Sequence, residues 1–573
     1  MKVMGIHDGH NSSASLFVDG NIAGLLQEER LRGIKNYSGF PIMAIKKLLQ
    51  INKFSIEDID YFALNGLHIP KPSSRLEKIE VYKNNFQFKG ALKHLFKSTF
   101  IYDIYKNNIK NDRIENLLEL GVTQDKIEFV EHHLAHAYTA YFGCPWVNFD
   151  DRILILTQDG SGDELSGTVN IGHKGKIERI ASIKKEDSLG RIYATATFML
   201  GMVPLEHEYK LMGMAPYSPE KGKNISYQVF KNLLEFPEDN SLIWQRGSGL
   251  PPMQRIYPHL RKQTEFQRFD WIAAGLQKFT EEMLTRWVKN CIKKTGIRKI
   301  VLSGGTFMNV KANQKIYNLP EVEELFIVPS CGDESNVIGA AYRVYNKLNP
   351  DIKLQSINHL YYGPDETGQK QCLEKIKEYK SRGNINFSYK YLDDIETKIA
   401  KLLSNDRIVA RCKGPMEFGA RALGNRSILC NAGDLDKIRI INNMIKKRDF
   451  WMPFAPVMLA ERSQEYIKNP MNMDAKYMII TFDSTDKYKD FIGGVQQADK
   501  TARPQVINQK QNPLYYKILK VYEEITGQGV LINTSFNLHG LPIVYGPEEA
   551  MYVFENSGLR YLALGNYLVE KKD

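Results

Sequence analysis

At 573 residues the chain is longer than one hydrophobic core supports, so two or more domains are expected. Hydrophobic residues at 43% and charged residues at 25% exclude a disordered or fibrous chain, and no apolar run approaches the roughly 20 residues of a membrane helix. A formal charge of +11 suits nucleic acid, an anionic surface or phosphorylated small molecules, but the lysines are dispersed and no aromatic–basic alternation marks an RNA surface, so nucleic acid is disfavoured and the surplus reads as mostly solvated surface, with arginines near the C-terminus as the exception.

From the start, Val3–Ile6 reads as a strand entering Asp8-Gly9-His10-Asn11-Ser12-Ser13. Ala14–Val18 then turns at Asp19-Gly20-Asn21 into Ile22–Leu26, the pattern of a hairpin. A helix is expected from Ile42 to Leu49. The β-like Ile127–Val130 empties into Glu131-His132-His133-Leu134-Ala135-His136. On a helix from Glu131 to Phe142, His132 and His136 share a face one turn apart, and paired imidazoles are half of a metal site. Histidines hydrogen-bonded to loops would give the same pattern, and His133 leaves a second pairing open.

The opening order then recurs. Ile153–Leu156 leads to Asp159-Gly160-Ser161-Gly162-Asp163, then to Gly167–Ile171 and, through Gly172-His173-Lys174-Gly175, to Lys176–Ile180. Strand, Asp-Gly turn and hairpin twice over predict an internal duplication. Asp159 is expected in a turn after its strand. A helix-rich stretch including Trp271–Cys291 precedes Lys299–Leu302 and the turn Ser303-Gly304-Gly305-Thr306-Phe307-Met308-Asn309. Its glycines permit close backbone approach to a nucleotide. Leu325–Val328 leads to Asp333, again in a Gly-containing turn, and an Ala-rich helix follows. The pattern breaks at Asn349-Pro350-Asp351, which places a domain boundary between 352 and 353.

Beyond it, cations gather on Gly-rich turns in Lys413–Ser427, at Lys446, Lys447 and Arg448, in Thr501–Gln505, and at Val530–Asn537. A phosphate-bearing ligand requires such donors, and the Arg421/Arg426 pair is the strongest candidate. Six scattered cysteines without a Cys-x-x-Cys pair argue against a disulfide framework or zinc knuckle. With a start that runs straight into a strand, they lead to the expectation of a cytoplasmic protein.

These pieces, in this order, resemble the NodU/CmcH family of O-carbamoyltransferases. The resemblance rests on His10–Ala14, Gln27–Arg30 with Lys35 and Phe40-Pro41, His132–His136, Tyr209–Tyr217, Met416–Ser427 and Asn533–Asn537. It implies an α/β protein in two parts. Residues 1–352 would form an actin-like (ASKHA) domain with a duplicated ribonuclease-H-like core, similar to the threonylcarbamoyl-transfer protein. Residues 353–573 would form a YrdC-like α/β domain. The second domain would make carbamoyl adenylate from carbamoyl phosphate and ATP, and the first would pass the carbamoyl group to a hydroxyl of a small-molecule or sugar acceptor.

By the same resemblance, His132, His136, Asp159 and Asp333 would hold a divalent metal, with iron(II) favoured and zinc or manganese also suited. Magnesium would accompany ATP. His10 would be the general base or would orient the acceptor, and Lys35 would contact the acyl group or acceptor. Gly213, Gly304, Gly305 and Asn309 would bind nucleotide. Arg421, Lys446 and Arg503, with Arg426 and Ser535, would bind the anionic donor. Met452 stands where relatives carry Arg before Pro-Phe-Ala-Pro, and Arg448 is a candidate to compensate. Segments 66–120 and 218–268 are expected to shape the acceptor pocket; neither the acceptor nor an oligomeric state is written in them. The competing readings are a tRNA threonylcarbamoylating enzyme and a non-catalytic ATP-binding switch of the actin-like class.

Overall fold

The computed structural model describes residues 1–69, 100–446 and 449–572, side chains at 100–106 excepted. Arg448, and positions 70–99 of the expected acceptor segment, lie outside the described residues. Packing divides the chain into two compact units, Met1–Glu28 with Asn36–Ile357, and Glu29–Lys35 with Asn358–Asp573. The first unit extends past 352 because Gln355 N–H donates to Gly20 and Ile357 N–H donates to Gly143. Residues 29–35 join the second unit, where buried Arg30 donates through Nη2 to the Gly419 carbonyl at 2.7 Å.

The first unit holds two five-stranded sheets of one design. In the first, β1 (Lys2–His7) pairs antiparallel with β2 (Ser13–Val18), which pairs with β3 (Asn21–Gln27). On its other side β1 runs parallel to β4 (Tyr61–Asn65), and β4 to β5 (Ile127–Val130). The second repeats this with β6 (Ile153–Gly162), β7 (Leu165–His173) and β8 (Lys176–Lys184), a minor ladder of β9 (Leu234–Glu235) and β10 (Gln245–Arg246), then β11 (Lys299–Ser303) and β12 (Glu324–Ile327). The orders 3-2-1-4-5 and 8-7-6-11-12 superpose strand for strand, so the expected duplication is present. Asp19 and Gly20 take φ of 48° and 79°, as the two-residue hairpin turn demands. Lys174 and Gly175 repeat this in the second copy, at 49° and 70°.

One helix follows the last strand of each copy, His132–Gly143 after β5 and Asn336–Leu348 after β12. They meet face to face because Gly339 has no side chain: a Cβ there would lie 1.8 Å from the Ala135 carbonyl oxygen. Gly5 does the same for sheet and helix, since its Cβ would meet the Val337 carbonyl at 2.0 Å. Ser13 and Ser15 donate to the Glu334 and Val337 carbonyls. These contacts lock the loop carrying Asp333 over the first sheet.

The second unit is a mixed eight-stranded sheet between two helical layers. Its strands are β13 (Phe387–Tyr391), β14 (Val409–Cys412), β15 (Arg426–Asn431), β16 (Ala455–Leu459), β17 (Phe482–Asp483), β18 (Thr501–Ala502), β19 (Gln505–Ile507), β20 (Val530–Ser535), β21 (Tyr561–Leu564) and β22 (Tyr567–Lys571). The sheet order is 13-22-21-14-15-20-16-19, with β17 and β18 a separate pair. Alternation sends neighbours to opposite faces. Val409, Leu429 and Ala563 pack under helices Ile395–Ser404 and Pro513–Thr526. Ala410, Ile428 and Leu562 pack under helices Gln369–Arg382 and Pro547–Glu555. Among the described residues no helix is long and apolar enough to cross a membrane.

Candidate functional site

In the first unit four side chains converge from three elements. His132 opens the helix His132–Gly143, whose N-cap Glu131 accepts the amides of His133 and Leu134 at 3.2 and 2.7 Å. Asp163 accepts the His132 amide at 2.8 Å together with those of Leu67 and His68, which sets the first helical turn. The ring of His132 occupies space that Gly162 leaves, since a Cβ there would meet its Cγ at 2.1 Å.

His132 Nε2 lies 3.1 Å from Asp159 Oδ2 and 3.5 Å from Asp333 Oδ1. His136 Nε2 lies 3.9 and 3.5 Å from the same atoms. One donor atom from each residue fits within a 4.8 Å span. Metal–ligand bonds of about 2.0–2.2 Å give ligand edges of roughly 3.3–3.6 Å in a tetrahedral site, so these spacings fit a cation. Among the described residues Asp333 Oδ1 is buried without a hydrogen-bond partner, as a ligand atom would be.

The contact on the opposite nitrogen suits that role: His136 Nδ1 lies 3.0 Å from Ser303 Oγ, which leaves Nε2 to face the cluster as an acceptor. Asn336 Nδ2 donates to that lone pair at 3.1 Å, a bond that a cation would displace. His133 turns away to Thr157. Burial and then the Asp159 charge push Asp333 up to about 6. Burial also disfavours the charge on Asp159, but the hydrogen bond from His132 and the charges of His132, His136 and His133 together outweigh it and hold Asp159 well below the usual carboxylate range. Burial opposes a charge on His132 too, yet Asp333 and Asp159 carry it up to about 10, while burial and that neighbouring imidazole lower His136 to about 3.

Asp159 lies inside β6 and not in a turn after it. The strand bulges between Gln158 and Gly162 and continues to the turn at Asp163 and Glu164, so the bulge aims the carboxylate at the helix. Gly304 and Gly305 adjoin it: a Cβ on Gly305 would stand 2.8 Å from Asp159 Oδ1, and one on Gly304 2.3 Å from the Gln158 carbonyl oxygen. Gly304 also has φ of 110°. Gly304→Ala is therefore expected to cost roughly 2–5 kcal/mol, measured by denaturant unfolding.

Asn309 caps helix Val310–Tyr317 through Ala312 N–H and exchanges two hydrogen bonds with Gln277. Gly213 lies in helix Glu208–Met214.

His10 is half-buried, and its carbonyl accepts from His7 Nε2 at 2.9 Å. Asn65 donates to His7 Nδ1 at 3.0 Å, so His7 is the neutral tautomer, and burial lowers its pKa. Asp8 holds in the first copy the place of Asp159 in the second, but Arg113 takes both its oxygens. Sequence reading missed His7, Asp8 and Arg113; the polar pair closing an apolar strand was their only signal. Lys35 is exposed and packs with the second unit, whereas His10 belongs to the first.

In the second unit, buried Lys446 donates to Ser535 Oγ at 3.1 Å, to Asn537 Oδ1 at 2.7 Å and to the Ser535 carbonyl. Arg421 and Arg503 are half-buried. Arg426 is fully buried and donates to the carbonyls of Tyr545, Gly414 and Asn425, which makes it an internal brace.

A family profile described as the carbamoyltransferase N-terminus matches residues 2–342, and its C-terminus counterpart matches residues 400–571. Nodulation protein NolNO of Sinorhizobium fredii is 28% identical over 98% of this chain and 79% of its own. An uncharacterized protein of Methanocaldococcus jannaschii is 30% identical over 99% of each. A full-length HypF crystal structure, phosphate- and nucleotide-bound, aligns at a TM-score of 0.36 and 12% identity over 61% of this chain and 56% of that one, a likeness that carries no argument. Matched by both halves of the profile, this chain belongs to the carbamoyltransferase family and is an enzyme that transfers carbamoyl groups.

Proposed function

We propose that the enzyme is an ATP-dependent O-carbamoyltransferase whose second, YrdC-like unit activates the carbamoyl group and whose first unit transfers it. Carbamoyl phosphate, ATP and water give carbamoyl adenylate, pyrophosphate and inorganic phosphate. The acceptor hydroxyl then attacks the carbamoyl carbon, its proton passes to a base, and AMP leaves. The convergence of His132, His136, Asp159 and Asp333 beside the Gly304-Gly305 turn carries this reading. A nucleotide-handling turn and a cation cage side by side suit a substrate whose reacting carbonyl is joined to a phosphate.

Iron(II) is the favoured ion, with zinc or manganese also compatible with two nitrogens and two carboxylates, and magnesium enters with ATP. When bound, the cation supplies Lewis acidity to the carbamoyl carbonyl or to the departing phosphate. His10 takes the acceptor proton, on a loop that His7 and Asn65 hold in place. Gly304 and Gly305 let the nucleotide approach the backbone. Arg421, Lys446 and Arg503 receive the anionic donor in the second unit. Exposed Lys35 is a candidate to contact the acyl group or the acceptor. All six cysteines are buried free thiols, in keeping with a cytoplasmic enzyme. The test is release of pyrophosphate from ATP: it must require carbamoyl phosphate, and AMP must accumulate as acceptor alcohols are supplied.

The cation affinity should depend on pH in a defined sense. Without a cation His132 holds a proton up to about pH 10, and a ligand must shed it. Binding therefore releases one proton, and affinity rises about tenfold per pH unit through neutrality. Below about 6 Asp333 holds a second proton and the slope steepens. Calorimetric titration with Mn(II) in buffers of different ionisation enthalpy measures the release; a value of zero at neutral pH would contradict it.

A further inference from the structure

Between Met416 and Cys430 the chain is buried at every position except two, Ala420 and Arg421. The loop is nonetheless polar and Gly-rich, so its backbone needs internal partners. Glu417 supplies three of them, all to amides. Its Oε1 accepts the amides of Leu423, Asn425 and Arg426 at 2.9, 2.7 and 3.1 Å, and Oε2 stays buried without a partner among the described residues. Ser427 Oγ accepts the Gly424 amide at 3.0 Å.

The carbonyls are taken in turn. Asn533 donates to Ala422 at 3.0 Å, Tyr361 and Gln505 donate to Leu423 at 2.8 and 2.9 Å, and Arg411 donates to Gly424 at 2.8 Å. Gly424, at φ 116°, lies against the Tyr515 ring, and Arg30 pins the Gly419 carbonyl. Amides that could have cradled a phosphate are thus occupied by an internal carboxylate. Ligand contact is left to the one long side chain that the arch presents.

We infer that Glu417 is a positioning residue, whose carboxylate gathers three loop amides so that Arg421 meets the carbamoyl donor at a fixed place. This rests on the reading of Arg421 as a donor-binding side chain. A carboxylate accepting three N–H groups makes charge-assisted bonds about twice as strong as neutral ones. A glutamine of the same shape therefore keeps the arch but loosens it.

Pyrophosphate release by the full-length enzyme, measured against carbamoyl phosphate concentration, tests this. Glu417→Gln should raise KM for carbamoyl phosphate about tenfold and change KM for ATP and kcat far less. In an Arg421→Ala background the same substitution should raise it no further, because the effect runs through Arg421. Ser427→Ala, a milder loss on the same arch, should raise it about fivefold and serves where Glu417→Gln does not fold. An undiminished effect of Glu417→Gln in the Arg421→Ala background would overturn the inference, as would a lowered Tm with KM unchanged. If Arg421→Ala alone leaves KM at the wild-type value, it is the donor-site reading that fails.

Discussion

His136→Ala is expected to lower carbamoyl transfer by about 100-fold or more, since loss even of a supporting residue at a metal centre costs 10–100-fold. His136 is fully buried, and its Nε2 faces Asp333 Oδ1 at 3.5 Å and Asp159 Oδ2 at 3.9 Å, while Ser303 engages the opposite nitrogen. Truncation leaves two carboxylates and one imidazole around a void, too few donors for a closed four-ligand cage. The metal content of the purified protein should fall with activity. The second unit has its own sheet and core, so carbamoyl-phosphate-dependent pyrophosphate release should persist in the variant. Full transfer by His136→Ala with its metal gone would remove the cation from the account.

Lys446→Met should give the complementary defect. Lys446 is 3% exposed, and its ammonium ties Ser535, at the end of β20, to Asn537 beyond it. Methionine keeps much of the volume but leaves those acceptors without their donor, at about 1–3 kcal/mol for each buried group. Adenylate formation should drop about 100-fold and Tm should fall as well. Lys446→Arg should not restore activity, because a planar guanidinium cannot reproduce three donors around a point charge. Metal content should remain that of the wild type. Unchanged pyrophosphate release in Lys446→Met would place donor activation elsewhere.

Much of this arrangement was legible because it follows local rules. The Asp19-Gly20 hairpin needs two positive φ values, and its recurrence exposed the duplicated sheets. The spacing of His132 and His136 on a helix starting after β5 needed only helical period. What spacing does not carry is the partner. Arg426 looks like Arg421 in sequence, yet β15 pairing turns it inward onto three carbonyls. The cap that Asn309 makes and its pairing with Gln277 are likewise not written in the spacing. Asp159 was placed in a turn because a bulge inside a strand has no reliable local signature. Lys35 followed its chain neighbours into the first unit on paper, while long-range packing assigns 29–35 to the second. Glu417 has no local signature, since three amides on one oxygen come together only once the loop closes.

The most direct measurement follows a carbon-13 label from carbamoyl phosphate into product by mass spectrometry, with ATP present or withheld and with alcohols, sugars, or bulk tRNA plus threonine as acceptors. The account predicts label on a hydroxyl oxygen of a small molecule or sugar, dependent on ATP, with one AMP formed per carbamoyl group moved. Label reaching a hydroxyl without ATP, or appearing only in tRNA, would contradict it.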